Sequence, residues 1–126
     1  MRHAVITAGS KGLGKKVTEH FLKKGCSVTV NYRSDFERVE QLKQEWAPYL
    51  DQLLFVQGDV TRKEDIVNII QQTMNRFGRI DYLINNAGPY IFERKKLIHY
   101  IDTEWEEIII GNLTALFHFM KLTLSI

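Results

Sequence analysis

The feature that most constrains this chain is a regular alternation of short apolar runs with longer stretches of helical periodicity. The runs at 3–6 (HAVI), 26–31 (CSVTVN), 53–57 (LLFVQ) and 80–85 (IDYLIN) have the length of strands, and most are rich in β-branched residues. Between them apolar residues recur three and four apart: Leu13, Val17, Phe21 and Leu22, then Phe36, Val39, Leu42 and Trp46, then Ile66, Ile69, Ile70, Thr73 and Phe77. Gly25, Pro48 and Gly78 stop these three patterns. Ser34 with Glu37, and Thr61 with Glu64, have the spacing of capping boxes at the second and third helix starts. Strands apolar along most of their length belong to a sheet covered on both faces, and helical crossovers make that sheet parallel. The fold class is therefore α/β, a Rossmann-like parallel sheet of order 3-2-1-4 with helices on both faces. Residues 1–126 make a single domain of this kind, expected to be incomplete because it stops before the second half of such a sheet.

Residues 88–102 are mixed in character, with basic Arg94, Lys95 and Lys96, and read as a loop with one helical turn. Thr103 with Glu106 is a third capping-box spacing. The helix it opens, 103–126, carries Trp105, Ile108, Ile109, Asn112, Leu113, Leu116, Phe119 and Met120 on one broad face. Ile110, Phe117, Leu122 and Ile126 are apolar outside that face. Such a helix expects burial on more than one side. Together with the open edge of the fourth strand, it is the surface through which a homo-oligomer is expected to form.

Seventeen basic residues against 15 acidic give a net charge of +2, and the basic residues are spread along the chain. That balance argues against nucleic-acid and membrane partners. No uninterrupted apolar run approaches the roughly 20 residues of a membrane span, and the start is too short for a signal peptide. The expectation is a soluble, cytoplasmic protein. Cys26 is the single cysteine, expected to be a buried structural thiol. His3, His20, His99 and His118 lack paired metal spacing, so no metal site is expected. Trp46 and Trp105 sit at core spacing, and Asp81 reads as a solvated turn carboxylate.

Chemistry is concentrated at the strand ends. Thr7-Ala8-Gly9-Ser10-Lys11-Gly12-Leu13-Gly14 follows the first strand and opens the first helix. Glycines there let backbone approach a ligand, and the unpaired N–H groups of a helix start can face a pyrophosphate. Asn85-Asn86-Ala87-Gly88 ends the fourth strand, which a parallel sheet brings to the same side.

The ordered set of residues 7–14, Asp59-Val60, residues 85–88 and Asn112 resembles the short-chain dehydrogenase/reductase family, most closely its 3-oxoacyl-carrier-protein reductase branch. The resemblance runs through essentially all 126 residues. It implies that Thr7, Gly9, Ser10, Lys11, Gly12, Leu13 and Gly14 form the turn around the cofactor phosphates. It also implies that Asp59 and Val60 contact the adenine, that Asn86, Ala87 and Gly88 support the adenosine ribose, and that the Asn112 carbonyl orders a water in a proton relay. The second strand ends Asn31-Tyr32-Arg33-Ser34, without a carboxylate until Asp35. NAD-binding members of this fold place an acid there for the ribose 2′-hydroxyl, whereas Arg33 and Lys11 can pair with a 2′-phosphate. NADP(H) is therefore expected over NAD(H).

Two departures accompany the resemblance. Ala8 stands where the family usually has glycine, which is tolerable at negative φ and damaging at positive φ; tolerance is the expectation. The family's catalytic tyrosine, the lysine four residues after it and its serine have no match. None of Tyr32, Tyr49, Tyr82, Tyr90 and Tyr100 has lysine four residues on, Tyr90 with Arg94 being the nearest spacing, and Ser125 lies at a helix end. The resemblance thus implies an oxidoreductase that transfers hydride between NADPH and a ketone or 3-oxoacyl substrate. The chain carries its cofactor half and is expected to be weak or inactive alone. The alternative is a catalytically dead nucleotide-binding or interaction module that self-associates or completes a split enzyme.

Overall fold

The structure, a computed structural model, describes residues 1–87 and 96–126. Four strands, β1 (His3–Ile6), β2 (Ser27–Tyr32), β3 (Leu53–Gln57) and β4 (Tyr82–Ile84), form a parallel sheet of order β3-β2-β1-β4. Val5 of β1 lies between Thr29 of β2 and Leu83 of β4. Helices α1 (Gly12–Lys23), α2 (Phe36–Glu45) and α3 (Lys63–Phe77) connect the strands, and α4 (Asp102–Ile109) and α5 (Ala115–Leu124) follow. The α/β class and strand order are those read from the sequence.

Alternation along the strands builds two apolar layers. Ala4, Ile6, Val28 and Val30 face Leu22 of α1 and Leu42 of α2, with Trp46 closing that layer. Val5 and Val56 face Ile66, Ile69 and Ile70 of α3 and Ala115 and Phe119 of α5. Each such side chain taken fully from water contributes roughly 1.5–3 kcal/mol, which is what fixes each helix to its face. On the α3 side β2 presents Ser27, Thr29 and Asn31, all buried. Polar groups in a core need partners. His3 supplies them, its Nδ1 2.7 Å from Ser27 Oγ and its Nε2 2.7 Å from Thr29 Oγ1, while Thr29 Oγ1 lies 2.8 Å from Thr73 Oγ1.

Several local expectations are corrected. Leu13 and Phe36 are exposed because the buried face of α1 runs through Gly14, Thr18 and Leu22, and that of α2 through Val39 and Leu42. Cys26 is half-buried and precedes β2 rather than lying in it. The helix starts are shifted by neighbouring carboxylates, which are stronger acceptors than hydroxyls. Asp35, not Ser34, caps α2 by accepting from Arg38 N at 3.2 Å. Thr61 gives its N–H and hydroxyl to Asp59 instead of capping α3. Helix α4 begins one residue early, with Ile101 N donating to Glu104 Oε1 at 3.1 Å.

The last helical region differs most from the sequence reading. A π turn, Ile110–Thr114, separates α4 from α5. Gly111, Ala115 and Phe119, four apart, are the buried residues of this region, while Trp105, Leu113 and Met120, expected on the buried face, are exposed. The helix Asp102–Leu124 is long enough to cross a membrane, and its most apolar 18-residue window, with mean hydropathy 1.2, is apolar enough. Its buried side, through Ala115 and Phe119, packs on α3, and most of the rest of it is exposed. Among the described residues of the basic segment, Leu97–His99 form a 3-10 turn.

Candidate functional site at the strand ends

The first-strand turn is built by contacts that leave little freedom. Gly14 must be glycine because a Cβ there would lie 2.2 Å from Ala8 O and 2.7 Å from Asn86 Nδ2. That contact lets α1 start directly against the turn. Gly12 has φ +56, where glycine pays no steric penalty. Lys11 takes the N-cap position without a side-chain cap, and no acid lies in the first turn of α1, so the helix end keeps its positive character. Arg38 of α2 donates from Nε to Ser10 O at 3.2 Å and ties the turn to the second crossover.

Thr7 and Asn86 join the turn to β4. Thr7 Oγ1 accepts from Asn86 N at 2.9 Å and Ala87 N at 2.8 Å, and Asn86 Nδ2 donates to Ala8 O at 3.2 Å. Asn31 does the same on the other flank. Its buried amide accepts from Ala8 N at 3.3 Å and donates to Val56 O at 3.3 Å and Gly58 O at 3.0 Å. Asn31 is thus a strut among three strand ends, its amide spent on backbone rather than left for a ligand.

Ala8 has φ 51. The negative φ on which tolerance of its methyl depended is not the conformation found, and its N–H and carbonyl are held by Asn31 and Asn86 instead.

These elements enclose a cleft of about 760 Å³, large enough for a nucleotide-sized ligand. Lys11, Arg33, Asp59, Val60, Asn86 and Ala87 line it, with Ala8 and Asn31 at its base. Gly58, Thr61, Glu107 and Ile110 complete the wall; the first two flank the Asp59-Val60 pair in sequence, and the last two carry no motif. Arg33 reaches across with NH2 3.5 Å from Asp59 Oδ2, and its side chain is 78% exposed, so the pair is weak and Arg33 is available to a stronger anion. Gln57 holds the preceding loop by donating to Arg33 O at 2.9 Å. Burial pushes the Asp59 carboxyl up, but the Thr61 hydroxyl and amide, with Arg33 and Arg62, outweigh it and hold the group below its ordinary value. Asp59 is therefore an ionised acceptor at neutral pH.

A second cavity of about 100 Å³ lies beside the first, with Thr7, Asn85 and Asn112 among its lining. Asn112 sits in the π turn, a feature that often marks functional positions, and Nδ2 donates to Ile108 O at 2.9 Å. Its side chain is exposed, not buried on an apolar face as its spacing suggested. Tyr32 packs edge-on against Phe36, and Ser34 is exposed. Gly88, Tyr90, Arg94 and Lys95 lie outside the described residues. Among the described residues no group of three His, Cys, Asp or Glu could hold a metal.

Comparison with known proteins agrees with this geometry. The family model for short chain dehydrogenase matches residues 2–126. YtkK of Bacillus subtilis (strain 168), a protein named as an oxidoreductase, is 63% identical over all of this chain and 49% of its own length. A Bacillus thuringiensis structure described as a 3-oxoacyl-reductase superimposes with TM-score 0.96 at 57% identity, over 99% of this chain and 52% of that one. ElxO, solved with NADPH bound, superimposes with TM-score 0.89 at 32% identity, over 98% of this chain and 49% of that one. The chain thus spans about half the length of these relatives. With the match extending from the first strand through the last helix, the chain belongs to the short-chain dehydrogenase family.

Proposed function

We propose that this chain is the cofactor-binding half of an NADP(H)-dependent reductase acting on a ketone or 3-oxoacyl substrate. The observation that carries the reading is the cleft with Lys11 and Arg33 on its walls and no carboxylate directly after β2. The first acid there, Asp35, is engaged in capping α2. The residues fit the nucleotide. Backbone around Gly14 is packed so closely that a Cβ would collide, the α1 terminus offers N–H groups to phosphates, and Arg33 offers a fork for a 2′-phosphate. Asp59, ionised, would accept from the adenine amine, and Asn86 with Ala87 would support the ribose. Bound NADPH supplies a hydride at its nicotinamide ring, and the protein's part is orientation and electrostatics. The NADPH and NADP complexes of ElxO support the same cofactor here.

Calorimetric titration tests this. NADPH should bind at least about tenfold more tightly than NADH, and Arg33→Ala should remove that preference while leaving NADH unchanged, since a charge-assisted pair is worth about 1.5–3 kcal/mol. Equal affinities for the two nucleotides would overturn the NADP(H) assignment, and no binding of either would overturn the cofactor reading. Ketoreductase turnover by these 126 residues is expected to be weak or nil, because loss of a general acid costs about 10²- to 10⁴-fold.

The exposed apolar side of α4 and α5 and the edge position of β4 favour a second reading, an interaction module that self-associates or completes a split enzyme. For the reductase reading and for the self-associating module we place the protein in the cytoplasm as a homo-oligomer.

A further inference from the structure

The geometry points to Asn86 and Asn31 as a two-sided clamp that holds Ala8 in the left-handed conformation, and to Asn86 as a positioning residue for nucleotide binding. The binding part rests on the cofactor reading above. Ala8 is the one non-glycine residue with positive φ among the described residues. For an L-residue that conformation is disfavoured by about 5- to 30-fold, so surrounding structure must impose it.

Two side chains do so from opposite ends of the residue. Asn31 Oδ1 takes the Ala8 N–H at 3.3 Å, and Asn86 Nδ2 gives to the Ala8 carbonyl at 3.2 Å. Both are themselves fixed, Asn31 by Gly58 O and Val56 O and Asn86 by the bond from its N–H to Thr7 Oγ1. The clamped carbonyl is also the atom against which Gly14 is packed. If the Ala8–Gly9 peptide rotated, the bond from Gly9 N to Asn31 O at 3.1 Å would break with it, and α1 would lose its seat beside the cleft that Ala8 lines. With glycine at position 8 the left-handed conformation has no steric cost, and the clamp matters less.

This predicts non-additivity, which a side chain merely tying β4 to the turn would not show. NADPH titrations of the 126-residue chain and of Ala8→Gly, Asn86→Ala and the double variant are the test, with thermal melts and amide exchange over residues 8–12 on the same samples. Asn86→Ala should weaken NADPH at least about threefold more where residue 8 is alanine than in the Ala8→Gly background, the excess being the left-handed penalty and any lost support of the ribose being common to both. Equal losses in both backgrounds, or none in either, would overturn the clamp. Asn86→Leu, close in size, uncharged and lacking the donor, repeats the measurement if Asn86→Ala does not fold. If neither the unsubstituted chain nor Ala8→Gly binds NADPH, the cofactor reading fails by itself. The clamp is then judged by amide exchange, which should be accelerated by Asn86→Ala only where residue 8 is alanine.

Discussion

His3 shows how far a single residue's role can lie from its sequence pattern. It is fully buried, stacks on Phe77 at 4.3 Å and ends a chain of hydroxyls whose protons can be counted. Thr73 donates to Ile69 O, so Thr29 donates to Thr73, and His3 Nε2–H donates to Thr29. The neutral ring then accepts from Ser27 at Nδ1. Burial pushes the His3 pKa down to about 4, against a smaller upward pull from Asp81, the nearest charge, which Arg79 pairs in turn. The unfolded chain, with histidine near 6.5, binds the proton first. Stability is therefore complete above pH ~6.5 and falls as pH drops to about 4, by about 3 kcal/mol in total. Urea melts across this range should show the slope in the natural chain and a flat response in His3→Gln; a slope surviving the substitution would assign it elsewhere. In sequence His3 was only a histidine without metal spacing, because its partners Ser27, Thr29 and Thr73 are long-range. The motif residues were legible in kind, yet Asn31 proved to be a strut and Ala8 a left-handed residue. Conformation and hydrogen-bond partner are set by tertiary contacts that spacing does not encode.

At the scale of elements, strands and connecting helices were legible because apolar period and stop residues agreed. Their boundaries were not. At each helix start after β2 a carboxylate one or two residues from the hydroxyl supplied the stronger acceptor, moving the cap or engaging the hydroxyl itself. The 102–124 helix was misread for a different reason: it is apolar nearly all round, so periodicity alone does not say which stripe packs on the core, and the buried one runs through Gly111, Ala115 and Phe119. The choice of stripe makes a sharp prediction about two adjacent residues that the sequence reading put on one broad face. Phe119 is 1% exposed and Met120 47%. Phe119→Ala should cost about 3–5 kcal/mol, whereas Met120→Ala should stay within about 0.5 kcal/mol. Equal costs in denaturant unfolding would mean that Met120 shares the buried stripe.

For the whole molecule the question is what covers the apolar surface left outside the two core layers. Trp105, Leu113 and Phe117 are each more than half exposed on one helical region, and β4 lies at an edge of the sheet. Scattered apolar residues need no explanation, but several along one helix mark an association surface. Relatives about twice this length carry further chain that these 126 residues do not match, so the same surface can be covered either within a longer chain or between copies. The prediction for these 126 residues is the second. Sedimentation velocity should show mass rising with concentration, and Phe117→Asp should shift it to monomer. Phe117 contributes little to the fold itself, its ring meeting Lys121 at 5.8 Å and His118 rather than the core, so the unfolding midpoint should hardly move. A monomer at every concentration would remove self-association. Association that survives Phe117→Asp would transfer it to the β4 edge, where backbone pairing rather than side-chain burial joins the copies.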